Sequence, residues 1–562
     1  MWLDARTLPA GETVDADLCV VGAGPAGISL ALSLARTSGV RVLIVESGGT
    51  EPDAQAQALA EGATTGDPFQ PLVETRVRRF GGTAHFWNSG VGGLEVGFRC
   101  GALHEVDFEE REGVPYSGWP IAHRELAPYM AAAHAVCRLG PSGAYDGAAW
   151  ARGEDDRPLP LDSAVLTTSV WQFGVQQTFT EHYRDEIGRH SSITTMLHAN
   201  VVEIETNETA GAVTRLRVAR FGAEDVFVRA RAFVVAAGGI ESARLLLLSD
   251  RVQRAGLGNG HDVVGRYFME HQFLRGGTLV PASRDLFNRT ALYDNHLVDG
   301  TLVCGKIDLA DEVIRRERLL NVGMALFPRH PYHARARQEV ADSLALLLRE
   351  ARRGRLPVAA RRHLRTVAGG LDYAAVVTLR GASGGRLFPF VRVGPDLIEG
   401  GGWAHLDRKE RRFATYEAIL HTEQGPDPDN RVTLVPEKDA LGYRRARLHW
   451  RWTERDVDSV RRAQRIFARE FARAGVGAYQ PATDARGRPM LLHPGLHHHM
   501  GTTRMHADPK QGVVDADSRV HGVGNLYVTG CSVFPTGGYI NSTLTVVALA
   551  LRLADHLRTA LR

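Results

Sequence analysis

The first hydrophobic segments of the chain alternate between strand-like and helix-like spacing. Residues 17–21 and 41–45 are short apolar runs, and residues 28–36 carry apolar side chains at helical spacing. A glycine-rich turn, GAGPAG at residues 22–27, joins the first run to the helix. This pattern predicts a strand, a tight turn, a helix and a second strand, which is the opening unit of a doubly wound parallel sheet.

The turn has the spacing of a dinucleotide-binding fingerprint. Gly22 permits the tight turn, Gly24 lets a pyrophosphate approach the backbone, and Gly27 lets the helix pack closely on the sheet. Glu46 follows the second strand, where it is placed to accept hydrogen bonds from a ribose diol. The motif favours nucleotide binding over a packing turn without a ligand, and it does not distinguish FAD from NAD.

Shorter apolar runs further along predict a second, smaller sheet, with strands at residues 192–204, 216–218 and 226–228. Residues 233–235 are predicted to be a buried strand that leads through small residues into an apolar helix over 241–248. Because strand, small residues and helix recur there, we expect the nucleotide domain to be discontinuous.

Residues 276–490 are expected to form a separate region. It contains an alternating segment at residues 447–452 and a long helix signal over residues 456–474.

Composition narrows the class of protein. With 44% hydrophobic and 23% charged residues in 562, the chain has the balance of a soluble globular protein, and no apolar run reaches the 18 residues of a membrane span. A net charge of +3 is too small to indicate nucleic acid or an anionic membrane as the main partner. Five scattered cysteines without a CxxC pair predict neither a disulfide framework nor a zinc site. No signal peptide is predicted, so a cytoplasmic location is expected.

One segment departs from this charge balance. Residues 349–365 contain seven arginines and a single acid, Glu350. An anionic partner or a membrane surface would account for them, and so would a solvated helix pair with a break at Gly354 and Pro357. The sequence favours the helix pair, because the net charge elsewhere does not support a charged partner.

Glycine is unusually frequent, at 60 residues, and three further glycine-rich stretches stand out. Residues 79–90 contain Gly81 and Gly82 before aromatic residues, a composition that suits a backbone lying against a planar ring and a phosphate, and equally a plain turn between a helix and a strand. Residues 496–505 contain three adjacent histidines. Residues 524–543 lead from an apolar strand to an apolar helix over 544–557, whose N-terminus could face the electron-rich end of a flavin or simply be capped by Asn541.

The three histidines, His497, His498 and His499, do not predict a metal site. Neighbouring side chains of an extended segment point to opposite faces, and no carboxylate or cysteine cluster lies nearby in the sequence. A histidine acting as a base fits better, because its ordinary pKa near 6.5 suits proton transfer at neutral pH.

Taken together, these motifs resemble the glucose–methanol–choline (GMC) oxidoreductases, and the resemblance runs over nearly the whole chain. It is carried by GAGPAG with Glu46, FGGTAHFWN, AAGGIESARLLL, VVGRYFMEH, EQGPDPDNRVTL, HHMGTTRM and NLYVTGCSVFPTGGYINSTLT, in this order. The pattern is most similar to the bacterial sugar-oxidising branch of pyranose oxidases, C-glycoside 3-oxidases and gluconate dehydrogenase flavin subunits. The resemblance implies FAD as the cofactor and an alcohol, sugar or glycoside as the substrate, with oxygen or another compound as the electron acceptor.

The resemblance also implies roles for individual residues. His498 would remove the hydroxyl proton while hydride leaves the same carbon for flavin N5, and Asn541 would hold that hydroxyl. Some family members tether FAD through a histidine at the position of Phe86, so non-covalent FAD is predicted here. Many relatives carry an acidic residue near Gly530, so the contact to the ribityl chain is expected from backbone or from Ser532.

The expected fold is α/β, with a doubly wound FAD domain over residues 1–100, 192–275 and 491–562, and an α+β substrate domain on an antiparallel sheet over 101–191 and 276–490. The residues expected to contact FAD are Gly22, Gly24, Pro25, Ala26, Gly27, Glu46, Gly81, Gly82, Thr83, Phe86, Trp87, Asn88, Val201, Ala237, Ser532 and Thr543.

Three other enzymes stay open at this point: a hydroxynitrile-lyase-like enzyme that keeps FAD without redox turnover, an oxidase of a non-sugar alcohol, and an NAD-dependent dehydrogenase. The sequence does not identify the substrate, the electron acceptor or the oligomeric state.

Overall fold

The computed structural model describes residues 1–562 except 88, 92–93, 330–334, 358–359, 369 and 385–402. The α-helices of the described residues are α1 Pro25–Thr37, α2 Ala54–Ala58, α3 His123–Val136, α4 Tyr183–Arg189, α5 Gly238–Leu248, α6 Asp311–Glu317, α7 Arg335–Arg352, α8 Ala360–Ala368, α9 Leu371–Ala382, α10 Lys409–Arg412, α11 Glu454–Arg473 and α12 Thr543–Ala560. The strands are β1 Trp2–Asp4, β2 Thr13–Asp15, β3 Leu18–Val21, β4 Val42–Val45, β5 Gly62–Gly66, β6 Ser89–Val91, β7 Leu94–Val96, β8 Arg99–Cys100, β9 Leu166–Phe173, β10 Ile193–Leu197, β11 Asn200–Thr206, β12 Val213–Arg220, β13 Ala223–Arg229, β14 Ala232–Val235, β15 Gln272–Pro281, β16 Asn295–Val298, β17 Thr301–Leu309, β18 Val322–Arg329, β19 Thr415–Thr422, β20 Arg431–Lys438, β21 Arg444–Trp450, β22 Gly477–Pro481, β23 Met490–His493 and β24 Leu526–Val528.

A six-stranded parallel sheet in the order β1-β10-β4-β3-β14-β24 forms the first layer. Strands β3, β4, β14 and β24 are buried along their whole length, as their uninterrupted apolar runs require of a sheet covered on both faces. Helix α1 packs on this sheet and against α12. These contacts place the N-termini of the covering helices at one edge of the sheet.

A nine-stranded antiparallel sheet forms the second layer. Its order is β22-β15-β19-β18-β17-β9-β8, with β16 paired to β17 and β23 paired to β15. Helix α11 packs beside β22. Three smaller sheets accompany it, β11-β12-β13-β2, β20-β21-β5 and the two-stranded β6-β7. The predicted fold class, a doubly wound parallel sheet with an antiparallel partner sheet, is confirmed.

One sequence expectation changes in detail, and a second is present as predicted. Residues 192–204 are two strands rather than one, because β10 joins the six-stranded sheet and only β11 belongs to the small sheet. The turn at His198, which has φ of 54°, redirects the chain between them. The predicted helix pair around residues 349–365 is present as α7 and α8, which are separated by the expected break.

The predicted domain boundaries stay predictions. All six strands of the parallel sheet lie within the ranges expected for the FAD domain.

Of the helices that the structure describes, none combines the length and the apolar character needed to cross a membrane.

A buried ion pair joins the two segments expected to build the substrate domain. The Nη1 and Nη2 atoms of Arg111 donate to Glu423 over 2.9 and 2.5 Å, and the backbone N–H of Asn321 donates to the same carboxylate over 2.8 Å. Both charged side chains are almost fully buried. Removing one member of such a pair leaves an uncompensated buried charge, which is far more costly than losing a surface pair.

We therefore expect Glu423→Gln to lower the free energy of unfolding by about 3–5 kcal/mol. The urea midpoint of the purified protein measures this change. Asp299→Asn is the matched control, because the Arg152–Asp299 pair has the same chemistry but is largely exposed, and it should cost less than about 1 kcal/mol. Equal losses from the two substitutions would contradict the assignment.

Candidate active site

A deep cleft opens at the carboxyl ends of β3, β4 and β14, with an empty volume of about 1550 Å³. Three helices begin at its wall: α1 after Gly24, α5 after Ala237 and α12 after Ser542. None of these three N-termini has a side-chain cap, so their first N–H groups are available to an acceptor in the cleft. Ligands of open α/β sheets bind at this edge.

Most residues predicted to contact the cofactor line this cleft. They are Gly22, Gly24, Pro25, Ala26, Glu46, Gly82, Thr83, Trp87, Val201, Ala237 and Thr543, and His498 lies in the same wall. Gly27 lies behind the cleft, where a Cβ atom would come within 2.1 Å of the Gly22 carbonyl oxygen, so its role here is helix packing. Asn88 lies outside the described residues.

Three predicted contacts lie elsewhere. Gly81 donates its N–H to the carbonyl of Ala23 behind the wall. Phe86 is 43% exposed, and its ring lies 5.2 Å from that of His497. Ser532 is fully buried, while Gly530 and Cys531 form the wall at this point.

Glu46 is held in place by the backbone. Its carboxylate accepts hydrogen bonds from the N–H groups of Ala23 at 2.9 Å and Gly48 at 3.1 Å. Burial raises its pKa, and these two N–H groups oppose that change. A carboxylate has about four lone-pair sites, so it can accept further hydrogen bonds from a ribose diol.

These features fit a dinucleotide cofactor. The uncapped N-terminus of α1 offers N–H groups to a pyrophosphate, and Glu46 offers acceptors to a ribose. FAD bound in this cleft would be held by these groups, with His498 on the same wall.

At the inner wall of the cleft, a short antiparallel contact brings two distant histidines together. Met269 and Met500 exchange both backbone hydrogen bonds, at 3.1 and 3.0 Å. In an antiparallel register, the residue two places after Met269 lies opposite the residue two places before Met500. His271 and His498 are those residues, and their Nδ1 atoms lie 2.9 Å apart.

Glu270 ties the same two segments together. Its Oε2 atom accepts the N–H of Leu496 at 2.7 Å and that of His271 at 3.2 Å. The carboxyl group is fully buried, and burial raises its pKa to about 8. Glu270 thus holds the backbone on both sides of the histidine contact.

The hydrogen bonds determine where the ring protons of the two histidines lie. His271 Nε2 lies 3.3 Å from the carbonyl oxygen of Gly537, which can only accept, so this nitrogen carries a proton. In the neutral ring, His271 Nδ1 is then an acceptor, and His498 Nδ1 must donate to it. His498 Nε2 is left without a proton.

Both rings are neutral near pH 7. Burial, followed by the neighbouring imidazole of His271, lowers the pKa of His498 well below its ordinary 6.5. Burial lowers the pKa of His271 to about 4. The free electron pair of His498 Nε2 is therefore available as a base, and Asn541 Nδ2 lies 3.5 Å from it.

The loop that supplies Gly537 and Asn541 is anchored at both ends. Thr536 Oγ1 accepts from Trp119 Nε1 at 2.9 Å and donates to the carbonyl oxygen of Asp107. The hydroxyl of Tyr539 is buried against Lys306 and Asp308, which themselves form an ion pair at 3.0 Å. These contacts hold Asn541 beside the base.

The other two adjacent histidines have different surroundings. His497 has a φ of 65° and lines the cleft opposite Phe86. The carbonyl of His499 accepts from the thiol of Cys531 at 3.1 Å. Among the described residues, no three histidine, cysteine or acidic side chains come together as a metal site.

Sequence reasoning did not assign roles to His271 and Glu270. Both lie within the VVGRYFMEH motif, which marked this segment as part of the family resemblance. The pairing of residue 271 with residue 498 depends on a backbone register that only the fold supplies.

The sequence is similar to a known enzyme family and to several characterised enzymes. The family profile of GMC oxidoreductases matches residues 426–550. Over 96% of the chain and 95% of the relative, the sequence is 25% identical to 2-methyl-1,2-propanediol dehydrogenase of Mycolicibacterium austroafricanum. A shorter match, covering 22% of the chain and 24% of the relative, is 40% identical to C-glycoside 3-oxidase of Arthrobacter globiformis.

The fold agrees with these matches. The crystal structure of pyridoxine 4-oxidase from Mesorbium loti superposes with a TM-score of 0.51 at 17% identity, covering 96% of this chain and 99% of that one. Fold, cleft and sequence matches agree: residues 426–550 match the GMC oxidoreductase family, and over almost its whole length the chain is similar to an enzyme named as a dehydrogenase.

Proposed function

We propose that the protein oxidises a secondary hydroxyl of a sugar or glycoside to a ketone, with His498 as the base. The observation that carries this proposal is the unprotonated Nε2 of His498, fixed by the hydrogen bonds from His271 to Gly537 and facing Asn541. FAD, when bound, supplies the acceptor for the hydride that leaves the substrate carbon.

His498 and Asn541 act on the same hydroxyl group of the substrate in different ways. His498 Nε2 takes the hydroxyl proton, and the amide of Asn541 donates a hydrogen bond to the hydroxyl oxygen and fixes its angle. The proton accepted at Nε2 makes the ring cationic, and His271 Nδ1 accepts from its other N–H throughout.

The relatives support a hydroxyl substrate and leave two classes in contention. Several relatives are named as oxidases of sugars or glycosides: C-glycoside 3-oxidase, pyranose 2-oxidase and paromamine 6'-oxidase. The match to 2-methyl-1,2-propanediol dehydrogenase runs over almost the whole chain and favours a small non-sugar alcohol as the second candidate. Anaerobic reduction of the bound flavin by a panel of glycosides, sugars, polyols and diols distinguishes these classes.

His498→Ala should lower kcat on a good substrate by about 10²–10⁴-fold, because a positioned base contributes that much. His493→Ala is the control, since this exposed histidine lies in the same segment. In the unmodified enzyme, kcat/KM should hold its value from neutral pH down to 6.5 and fall only below it, because the pKa of His498 is lowered.

Unchanged turnover of His498→Ala would overturn the role of the base. Turnover of a cyanohydrin with no substrate able to bleach the flavin would instead assign the protein to the non-redox, hydroxynitrile-lyase-like class.

His271→Leu should lower kcat/KM by about tenfold to a hundredfold, because His498 Nδ1–H loses its acceptor and the ring can rotate or change tautomer. His271→Asn should restore much of the activity, since the amide oxygen can accept where Nδ1 did. The pH profile distinguishes positioning from folding, as only the leucine variant should shift its acid limb. Equal loss in both variants with an unshifted profile would contradict the positioning role.

FAD should be released by acid precipitation, leaving a colourless pellet. Phe86 has no nucleophile, and His85 Nε2 is hydrogen-bonded to the carbonyl of Phe80 at 2.9 Å. Burial raises the pKa of Cys531, the thiol in the cleft wall, to about 12, so it stays protonated. A yellow pellet would contradict this prediction.

A further inference from the structure

Three consecutive helices, α7, α8 and α9, form a unit between the neighbouring strands β18 and β19. They pack chiefly on one another. The Cγ2 atom of Val340 lies 2.4 Å from the position that a Cβ of Gly370 would occupy, and Ser343 Oγ lies 3.0 Å from His363 Nδ1. The three helices therefore pack on a shared inner face. Their outer side is open to contact with another molecule.

The outer face carries large apolar side chains. Leu348, Leu356, Leu364, Leu371 and Leu379 are 51%, 85%, 56%, 64% and 49% exposed. A concentration of exposed leucines in one unit is unusual for a surface that meets only water, and it marks a contact with a protein or a membrane.

The exposed positions follow helical spacing, so each helix presents a stripe. Among the side chains that the structure describes, the exposed positions are Ala345, Leu348, Arg349, Ala351 and Arg352 on α7, Arg361, Leu364, Arg365 and Ala368 on α8, and Leu371, Ala375, Thr378, Leu379, Gly381 and Ala382 on α9. Among the described side chains of α7 and α8, the exposed leucines and arginines are neighbours in this spacing. Long arginine side chains beside leucines can keep their charge at a polar boundary while the leucines enter an apolar layer.

The charge of the unit is strongly positive. Seven arginines and one glutamate give residues 349–365 a charge of +6, so with the total of +3 the rest of the chain carries −3. Glu350 is shared by Arg349 and Arg353, each at 3.3 Å. In the part of the chain that the structure describes, no carboxylate lies within ion-pair distance of the exposed arginines Arg352, Arg355, Arg361 and Arg365.

We propose that this unit docks on the surface of an anionic lipid bilayer. The leucines would enter the boundary between headgroups and acyl chains, and the arginines would contact lipid phosphates. A nucleic acid would account for the arginines but leave the leucines in water. An anionic bilayer, which is charged at its surface and apolar beneath, matches both sets of side chains.

Sedimentation of the purified holoenzyme with lipid vesicles tests the proposal. The enzyme should bind vesicles that contain phosphatidylglycerol and not vesicles of phosphatidylcholine alone, and added salt should weaken the binding. The double variants Leu356→Ser/Leu364→Ser and Arg355→Gln/Arg361→Gln should each lower the partition coefficient at least about tenfold.

A matched control uses exposed side chains of the same types elsewhere. Leu297→Ser on β16, combined with Arg465→Gln and Arg469→Gln on α11, should leave vesicle binding unchanged. All variants should keep the flavin absorbance and the turnover of the unmodified enzyme, because none of these side chains lines the cleft.

The other outcomes overturn the proposal. They are absence of binding to phosphatidylglycerol at low salt, or binding that the control variant lowers as much as the others. Vesicle binding that is lost in the arginine variant but kept in the leucine variant would overturn insertion of the leucines, because the attachment would then rest on charge alone. A lipid-free dimer that the leucine variant dissociates would assign a second copy of the chain.

Discussion

The proposed active site depends on one carbonyl group that can only accept a hydrogen bond. The oxygen of Gly537 requires a proton on His271 Nε2, which makes Nδ1 of that ring an acceptor and places the proton of His498 on its own Nδ1. The Gly537 carbonyl group thus determines, through the rings of His271 and His498, that His498 Nε2 carries a free electron pair at the cleft. The carbonyl stays in place because the loop around it is anchored through Thr536 and Tyr539.

Burial makes this arrangement usable at neutral pH. Burial disfavours the charged forms of His271 and His498, and His271 lies close enough to oppose a charge on His498, because their Nδ1 atoms are 2.9 Å apart. An exposed imidazole would be partly protonated near pH 6.5. Here the neutral form dominates, so the proposed base, His498, is unprotonated at Nε2 before a substrate binds.

The sequence was most informative where function and local pattern coincide. The strand, turn and helix around Gly22, the acidic residue Glu46 and the helix after Asn541 follow from spacing, and the structure places all of them around one cleft. It was least informative where a contact depends on register. No periodicity reveals that residue 271 lies opposite residue 498, nor that residues 192–204 divide between two sheets at a turn with positive φ.

The three-helix unit has a consequence for how such an enzyme can diversify. The chain leaves the antiparallel sheet at Arg329 and returns at Thr415, and these two residues are paired neighbours in the register of β18 and β19. Because the entropy of closing a loop rises only slowly with its length, the sheet tolerates a short turn or a long excursion at this place. Residues 330–414 therefore form an insertion that evolution can lengthen, exchange or remove without changing the sheet. The surface to which the enzyme binds can change in this way while its active site stays the same.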